Sequence, residues 1–153
     1  MTFGINILII VIAFIGMEGM AWFSHKYIMH GFLWKLHRDH HQKTNHWWEL
    51  NDIFVIIFAL PSFLAILFGL RHPVLLPVGI GIFIYGLAYF FVHEILIHNR
   101  FKWGVISDNR YFRALRRAHK VHHGYTNKKP GDNFGFVFLI PPHYLKDSFK
   151  EES

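Results

Sequence analysis

The sequence predicts an all-α integral membrane bundle with a histidine-rich cap on its cytoplasmic side. Three apolar runs of spanning length, a one-sided placement of Lys and Arg, and thirteen histidines predict it. The runs are 5–23, 53–70 and 73–92, each of 18 to 20 residues. That is the length needed to cross about 30 Å of hydrocarbon at about 1.5 Å per residue. Only Asn6 and Glu18 interrupt the first run. Three such runs in 153 residues leave no polar face to meet water, which argues against buried helices of a soluble domain.

The remaining elements follow from these. No Lys or Arg precedes Lys26 and no small-residue cleavage site follows the first run, so it is expected to remain as a membrane helix. Only Arg71 and His72 separate the second and third runs, which makes them a tight hairpin. Pro73 suits the first turn of the third helix, and Pro61 and Pro77 are candidate kinks. Asn51 and Asp52 are read as the cap of the second membrane helix. The stretch from Phe134 to Pro142 is apolar but too short to span, and is expected at the interface or against the polar part. With one crossing and one hairpin, segments 24–52 and 93–153 share a side. Fifteen of the sixteen Lys and Arg residues lie there, so that side is expected to be cytoplasmic. The whole chain, 1–153, reads as one membrane domain.

Composition excludes several chemistries. Charged residues are 17% of the chain, against about 25% in soluble domains. There is no cysteine, so disulfides, iron–sulfur clusters and thiol nucleophiles are out. The net charge of +6 comes without a nucleic-acid motif and is accounted for by topology and anionic headgroups.

The chemistry lies in a repeated histidine pattern. His25-Lys26-Tyr27-Ile28-Met29-His30 is followed by His37-Arg38-Asp39-His40-His41. His93-Glu94-Ile95-Leu96-Ile97-His98 is followed by His119-Lys120-Val121-His122-His123. Each pair reads HxxxxH then HxxHH. By simple counting, an HxxHH triplet arises by chance about 0.1 times in such a chain; here it arises twice. On a helix, positions i, i+3 and i+4 share a face, so each triplet is expected to point at one metal region. The HxxxxH residues sit about 140° apart on an ideal helix, so they call for a helix end or for service to two different ions.

Ten imidazoles are too many for one ion and suit two, with about five ligands each. Imidazole serves zinc, copper, iron and nickel alike, so ligand type leaves the metal open. Glu18 and Glu94 are candidates to orient a ligand or relay protons, and Glu18 equally suits a hydrogen bond to a neighbouring helix. Trp22, Phe23, Phe90 and Phe91 are candidate walls of an apolar channel, or members of an interfacial aromatic belt. His46, His72 and His143 lie outside the motifs and are read as non-ligands.

The paired motifs resemble those of the membrane fatty-acid hydroxylase/sterol desaturase superfamily, and within it the bacterial β-carotene 3-hydroxylases (carotenoid β-ring hydroxylases). The likeness also runs through Gly16-Met17-Glu18, Asn51-Asp52, Tyr85-Gly86-Leu87, Val92-His93, Arg117-Ala118 and Phe134-Gly135-Phe136, over roughly residues 10 to 142. One departure is Glu94, where an aspartate is expected. The resemblance implies two non-haem iron ions held by His25, His30, His37, His40, His41, His93, His98, His119, His122 and His123. It implies dioxygen as co-substrate, a ferredoxin-type electron donor and a carotenoid drawn from the bilayer. The implied reaction hydroxylates ring carbon C3, taking β-carotene through β-cryptoxanthin to zeaxanthin, with canthaxanthin-type rings giving astaxanthin. The alternatives are a fatty-acyl or sterol hydroxylase or desaturase of the same superfamily, or a membrane metal-binding or transport protein.

Overall fold

A computed structural model describes residues 2–42, 48–101, 109–125, 128 and 131–150, the last three without their side chains. The described residues are helical or irregular, with no strand. Helix α1 (Phe3–Phe23) runs directly into a π-helical segment, Ser24–Phe32, and helix α2 (Trp34–His41) follows. A 3₁₀ turn, Leu50–Asp52, leads into α3 (Ile53–Gly69). Helix α4 (Leu75–Tyr89) continues into a second π-helical segment, Phe90–Ile97. Helices α5 (Arg110–His123) and α6 (Pro142–Lys150) complete the chain.

Three continuous helices, Phe3–Phe32, Leu50–Gly69 and Leu75–Ile97, are long and apolar enough to cross a membrane. Two of them outrun the apolar stretches by several residues, because the π-helical segments carry the helix on into the histidine motifs. Large apolar side chains such as Phe3, Ile12, Phe63 and Phe83 stand on the outside, as lipid contact requires.

Between membrane helices apolar side chains gain little over lipid, so close packing at small residues decides how they meet. Helix α4 lies between α1 and α3 through two glycines. A Cβ on Gly81 would lie 2.6 Å from the Ile10 carbonyl of α1, and one on Gly79 would lie 2.8 Å from Ile66 of α3. The Ser62 hydroxyl donates to the Gly79 carbonyl at 2.9 Å and ties the hairpin across that contact. Pro61 sits inside α3, which nonetheless runs unbroken from Ile53 to Gly69. Pro73 falls in the turn before α4 and not in its first turn as expected. The first-turn proline is Pro77, whose missing N–H would have had no intrahelical partner there.

The polar part is built on α5. Its Ala114, Leu115, Ala118, His119 and His122 are buried while Arg110, Arg117 and Lys120 face out. Asn109 caps it by accepting from the Tyr111 N–H at 2.8 Å. Ala114 and Ala118 pack on Tyr144 of α6.

The stretch from Phe134 onward docks deeper than an interfacial segment would. Glu18 of α1 is fully buried, and its Oε1 accepts from the backbone N–H groups of Phe136, Val137, Phe138 and Leu139 at 2.8–3.1 Å. The Tyr85 hydroxyl of α4 donates to Glu18 Oε2 at 2.6 Å. A carboxylate inside an apolar run is costly unless its lone pairs are filled, and five donors fill these. The tight curl around it admits no side chain at Gly135, where a Cβ would lie 1.8 Å from the Leu139 carbonyl.

Candidate metal centre

The two π-helical segments coincide with the two HxxxxH motifs. In a π-helix the N–H bonds five residues back, so residues five apart stand one above the other. The His98 N–H donates to the His93 carbonyl at 2.9 Å, and the Leu33 N–H to the Ile28 carbonyl at 3.0 Å. The ring centroids of His93 and His98 are 4.6 Å apart, and those of His25 and His30 are 5.2 Å apart. In each motif both histidines join the same group, so service to two ions is not needed; each motif does close at a helix end, with non-helical Gly31 directly after His30 and His98 directly after Ile97, the last residue of its segment. Gly31, inside the last turn of the first π-helical segment, has non-helical angles and kinks the chain toward α2.

The ring nitrogens assemble into two adjoining groups. His25, His30, His37, His41 and His122 form one, and His40, His93, His98 and His119 the other; within each, one nitrogen per ring lies within 4.8 Å of the rest. His123 stands between them, stacked on His41 at 4.4 Å and with centroids 4.4 Å from His119 and 4.7 Å from His40. All ten motif histidines are therefore gathered. The spacing of each HxxHH triplet predicts a single metal region, but the structure divides both triplets between the two groups. His37 and His41, one turn apart, face one group while His40 faces the other, and His119 and His122 divide in the same way. A shared helix face is wide enough to straddle two adjacent centres.

The proton positions test whether a cation fits. The Nδ1 atoms of His25 and His41 lie 3.1 Å from the backbone carbonyls of Phe134 and Tyr125. A carbonyl only accepts, so these Nδ1 atoms carry the ring proton and leave Nε2 bare. Both Nε2 atoms lie 3.1 Å from Nε2 of His37, whose Nδ1 is 2.7 Å from Asn51 Oδ1. Three lone pairs thus face one another with no proton to share, a conflict that a cation removes. In the second group the Nδ1 atoms of His40 and His93 donate to Glu49 at 2.8 Å and Glu94 at 2.7 Å. The Nε2 atoms of His40, His93 and His123 are buried without a hydrogen-bond partner, and Nε2 of His98 lies 2.8 Å from Nε2 of His119. Rings with one nitrogen held by a carboxylate or carbonyl and the other pointing inward are built as metal ligands are.

Electrostatics favour the same state. Burial, then repulsion from neighbouring rings, holds His41 down to about 4, His98 to about 3 and His122 to about 2. Burial likewise holds His37, His40, His119 and His123 below the ordinary imidazole range. These rings are neutral at neutral pH, the form that ligates. Burial pushes Glu49 up to about 7 despite Arg100 nearby.

Other residues have roles that spacing alone did not reveal. Asn51, read as a helix cap, instead lies against His37. Asp52 does cap the turn, accepting from the Glu49 N–H at 3.0 Å, and also pairs with Arg100 at 2.6 Å. Arg100 reaches Glu94 at 3.2 Å, so one guanidinium links the start of α3 to the carboxylate that orients His93. Its nearness to His98 in the chain was the available signal; Glu49 gave none. Glu18 touches no imidazole. It reaches His25 only through the backbone of 134–139, whose Phe134 carbonyl holds the ring and whose Phe136 stacks on it at 4.7 Å. His72 lies in the turn joining α3 and α4. His143 is exposed beside Asp132, and His46 lies outside the described residues.

A cavity of about 680 Å³ runs between α3 and α4 and ends on His37, His40 and His93. Its walls are almost wholly apolar, with Phe54, Phe58, Ile66 and Phe136 among them. Of the four aromatics named as channel walls, only Phe90 lines it. Trp22 packs instead against Lys26, whose Nζ is 4.8 Å from its ring, and Phe23 packs on Tyr27. The end of a helix pointed to these residues, but the phase of each helix selects others.

Comparison with known proteins takes in the same segments. The chain is 36% identical over 148 residues to the Beta-carotene hydroxylase of Pseudescherichia vulneris, covering 96% of this chain and 84% of that protein. It is 37% identical over 147 residues to the Beta-carotene hydroxylase of Pantoea ananas, covering 95% and 84%. It is 41% identical over 145 residues to the chloroplastic Beta-carotene hydroxylase 1 of Capsicum annuum, covering 92% of this chain and 45% of the longer plant protein. No solved structure matches the chain. Residues 10–144, which hold Glu18 and all four histidine motifs, match the fatty acid hydroxylase family, and on that match the chain belongs to it.

Proposed function

We propose that the chain hydroxylates the β-ionone ring of carotenoids at C3, taking β-carotene through β-cryptoxanthin to zeaxanthin. Canthaxanthin-type rings, giving astaxanthin, belong to the same activity. The observation that carries this reading is the apolar cavity that ends on His37, His40 and His93. A substrate without polar groups, dissolved in the bilayer, is what such walls accept. The full-length bacterial relatives named for β-carotene hydroxylation support the same substrate class.

The ten motif histidines hold two iron ions, one in each group, with His123 completing the second. Bound iron supplies the dioxygen chemistry: one oxygen atom enters the ring C–H bond and the other leaves as water, consuming two electrons and two protons. A ferredoxin-type donor provides the electrons. The chain itself orients the ligands through Asn51, Glu49, Glu94 and the carbonyls of Phe134 and Tyr125, and its apolar walls position the ring and exclude water. The enzyme is a single multi-pass domain in the inner membrane, with the histidine end cytoplasmic, in keeping with the Lys and Arg placement. Metal transport is disfavoured, because the histidines gather at one end instead of tracing a path through the spans.

Expression in a bacterial host that accumulates β-carotene, followed by pigment chromatography, tests the reading. β-Cryptoxanthin and zeaxanthin are expected. Unchanged β-carotene, with the protein present in the membrane and loaded with metal, would overturn it.

A further inference from the structure

Helices α3 and α4 are in tight contact at the hairpin end and separate toward the histidines. A Cβ on Gly69 would lie 2.5 Å from the Leu76 backbone, and one on Gly79 2.8 Å from Ile66. Two turns further along α4, a Cβ on Gly86 would meet nothing within 4 Å, although Gly86 lines the cavity. It is also exposed on the outside of the bundle. A residue that borders both the cavity and the exterior marks an opening in the wall.

Its neighbours describe the frame. Phe83 and Phe90 stand three before and four after Gly86, on the same helix face, and both line the cavity while exposed to the exterior. Continuing the antiparallel register set by the Ile66–Gly79 contact brings Ala59 of α3 level with Gly86. Ala59 too is both cavity-lining and exposed. The opening thus has a small residue on each helix and aromatic rings above and below it, Phe83 on α4 and Phe90 where α4 continues into the π-helical segment. It lies within the spans, so it faces lipid.

We propose that Gly86, with Ala59 opposite, is the lateral doorway through which an apolar ring passes from the bilayer to the histidine end of the cavity. This rests on the substrate class proposed above. Gly86 determines specificity by size: it touches no imidazole-orienting group, and a larger side chain fills the doorway without disturbing the backbone.

Two measurements test it. In β-carotene-accumulating cells, Gly86→Leu is expected to lower conversion about tenfold or more, with Gly86→Ala milder. Chain level in the membrane and metal per chain should match the unsubstituted protein. Gly19→Leu, at an exposed α1 glycine that also has open space but does not line the cavity, should leave conversion unchanged. Because the chain has no cysteine, Gly86→Cys introduces a sole thiol. β-Carotene should slow its alkylation by an apolar maleimide, and should not slow that of Gly19→Cys. Conversion by Gly86→Leu equal to that of the active unsubstituted protein, or no protection of Gly86→Cys by β-carotene, overturns the doorway. An unsubstituted protein that converts nothing while β-carotene still protects Gly86→Cys overturns the proposed reaction and leaves the doorway standing.

Discussion

The His98 N–H donates to the His93 carbonyl at 2.9 Å, and this backbone bond accompanies the meeting of the two rings in one group. It spans five residues, so it brings the two rings of the motif together edge to face instead of splaying them around an α-helix. Inserting one alanine between Leu96 and Ile97 would make the step six residues, which sets the second ring about 120° from His93 on an α-helix and turns it away from His93, His40 and His119. Metal analysis of the purified variant is expected to give one ion per chain, against the two proposed for the unaltered chain, one in each group.

The division of each HxxHH triplet makes a second prediction. His119→Ala is expected to weaken the group of His40, His93 and His98, and His122→Ala the group of His25, His30, His37 and His41. Each variant should keep the metal of the other group, read as ions per chain together with the spectroscopic signature of an uncoupled ion. Equivalent spectra for the two variants would contradict the partition.

The carboxylates behind the rings should matter without touching metal. Glu94→Gln removes the charged acceptor of the His93 Nδ1 proton and breaks the Arg100 link. Metal affinity in the second group is expected to fall about 10- to 100-fold. Chelator competition reads this directly, with the first group as internal reference.

Glu18 should govern stability, not chemistry. Glu18→Ala leaves four backbone N–H groups and the Tyr85 hydroxyl without their acceptor in a buried site. A loss of about 3 kcal/mol or more is expected. Thermal unfolding in detergent measures it, and amide exchange should rise first at 136–139. Tyr85→Phe removes one donor and should cost about 1 kcal/mol.

The metal-free protein should be acid-labile. His41 and His98 are held at about 4 and about 3 when folded, against an ordinary imidazole value of 6.5. Between those values the unfolded chain binds more protons than the folded one, so stability falls as pH falls. The loss begins near pH 6.5 and continues to about pH 3 to 4, where the folded rings also protonate. Melting temperature of the apo-protein against pH checks the window; metal should steepen the loss, because protons displace it.

The sequence by itself determined three spans, the ten histidines and the family to which they belong. Hydrophobic run length is a local property, and a repeat of HxxxxH and HxxHH is visible without any contact. The tertiary structure decided the rest. It sent His37 and His40, three residues apart, to different groups, and turned Asn51 from a cap into the partner of His37. It placed Glu18 under a loop more than a hundred residues away, and it chose Phe90 over Phe91 for the cavity. Spacing gives the phase of a side chain on its own helix, assuming an α-helix. It carries no information on what the neighbouring helix presents at that phase, nor on where the helix changes to five-residue bonding.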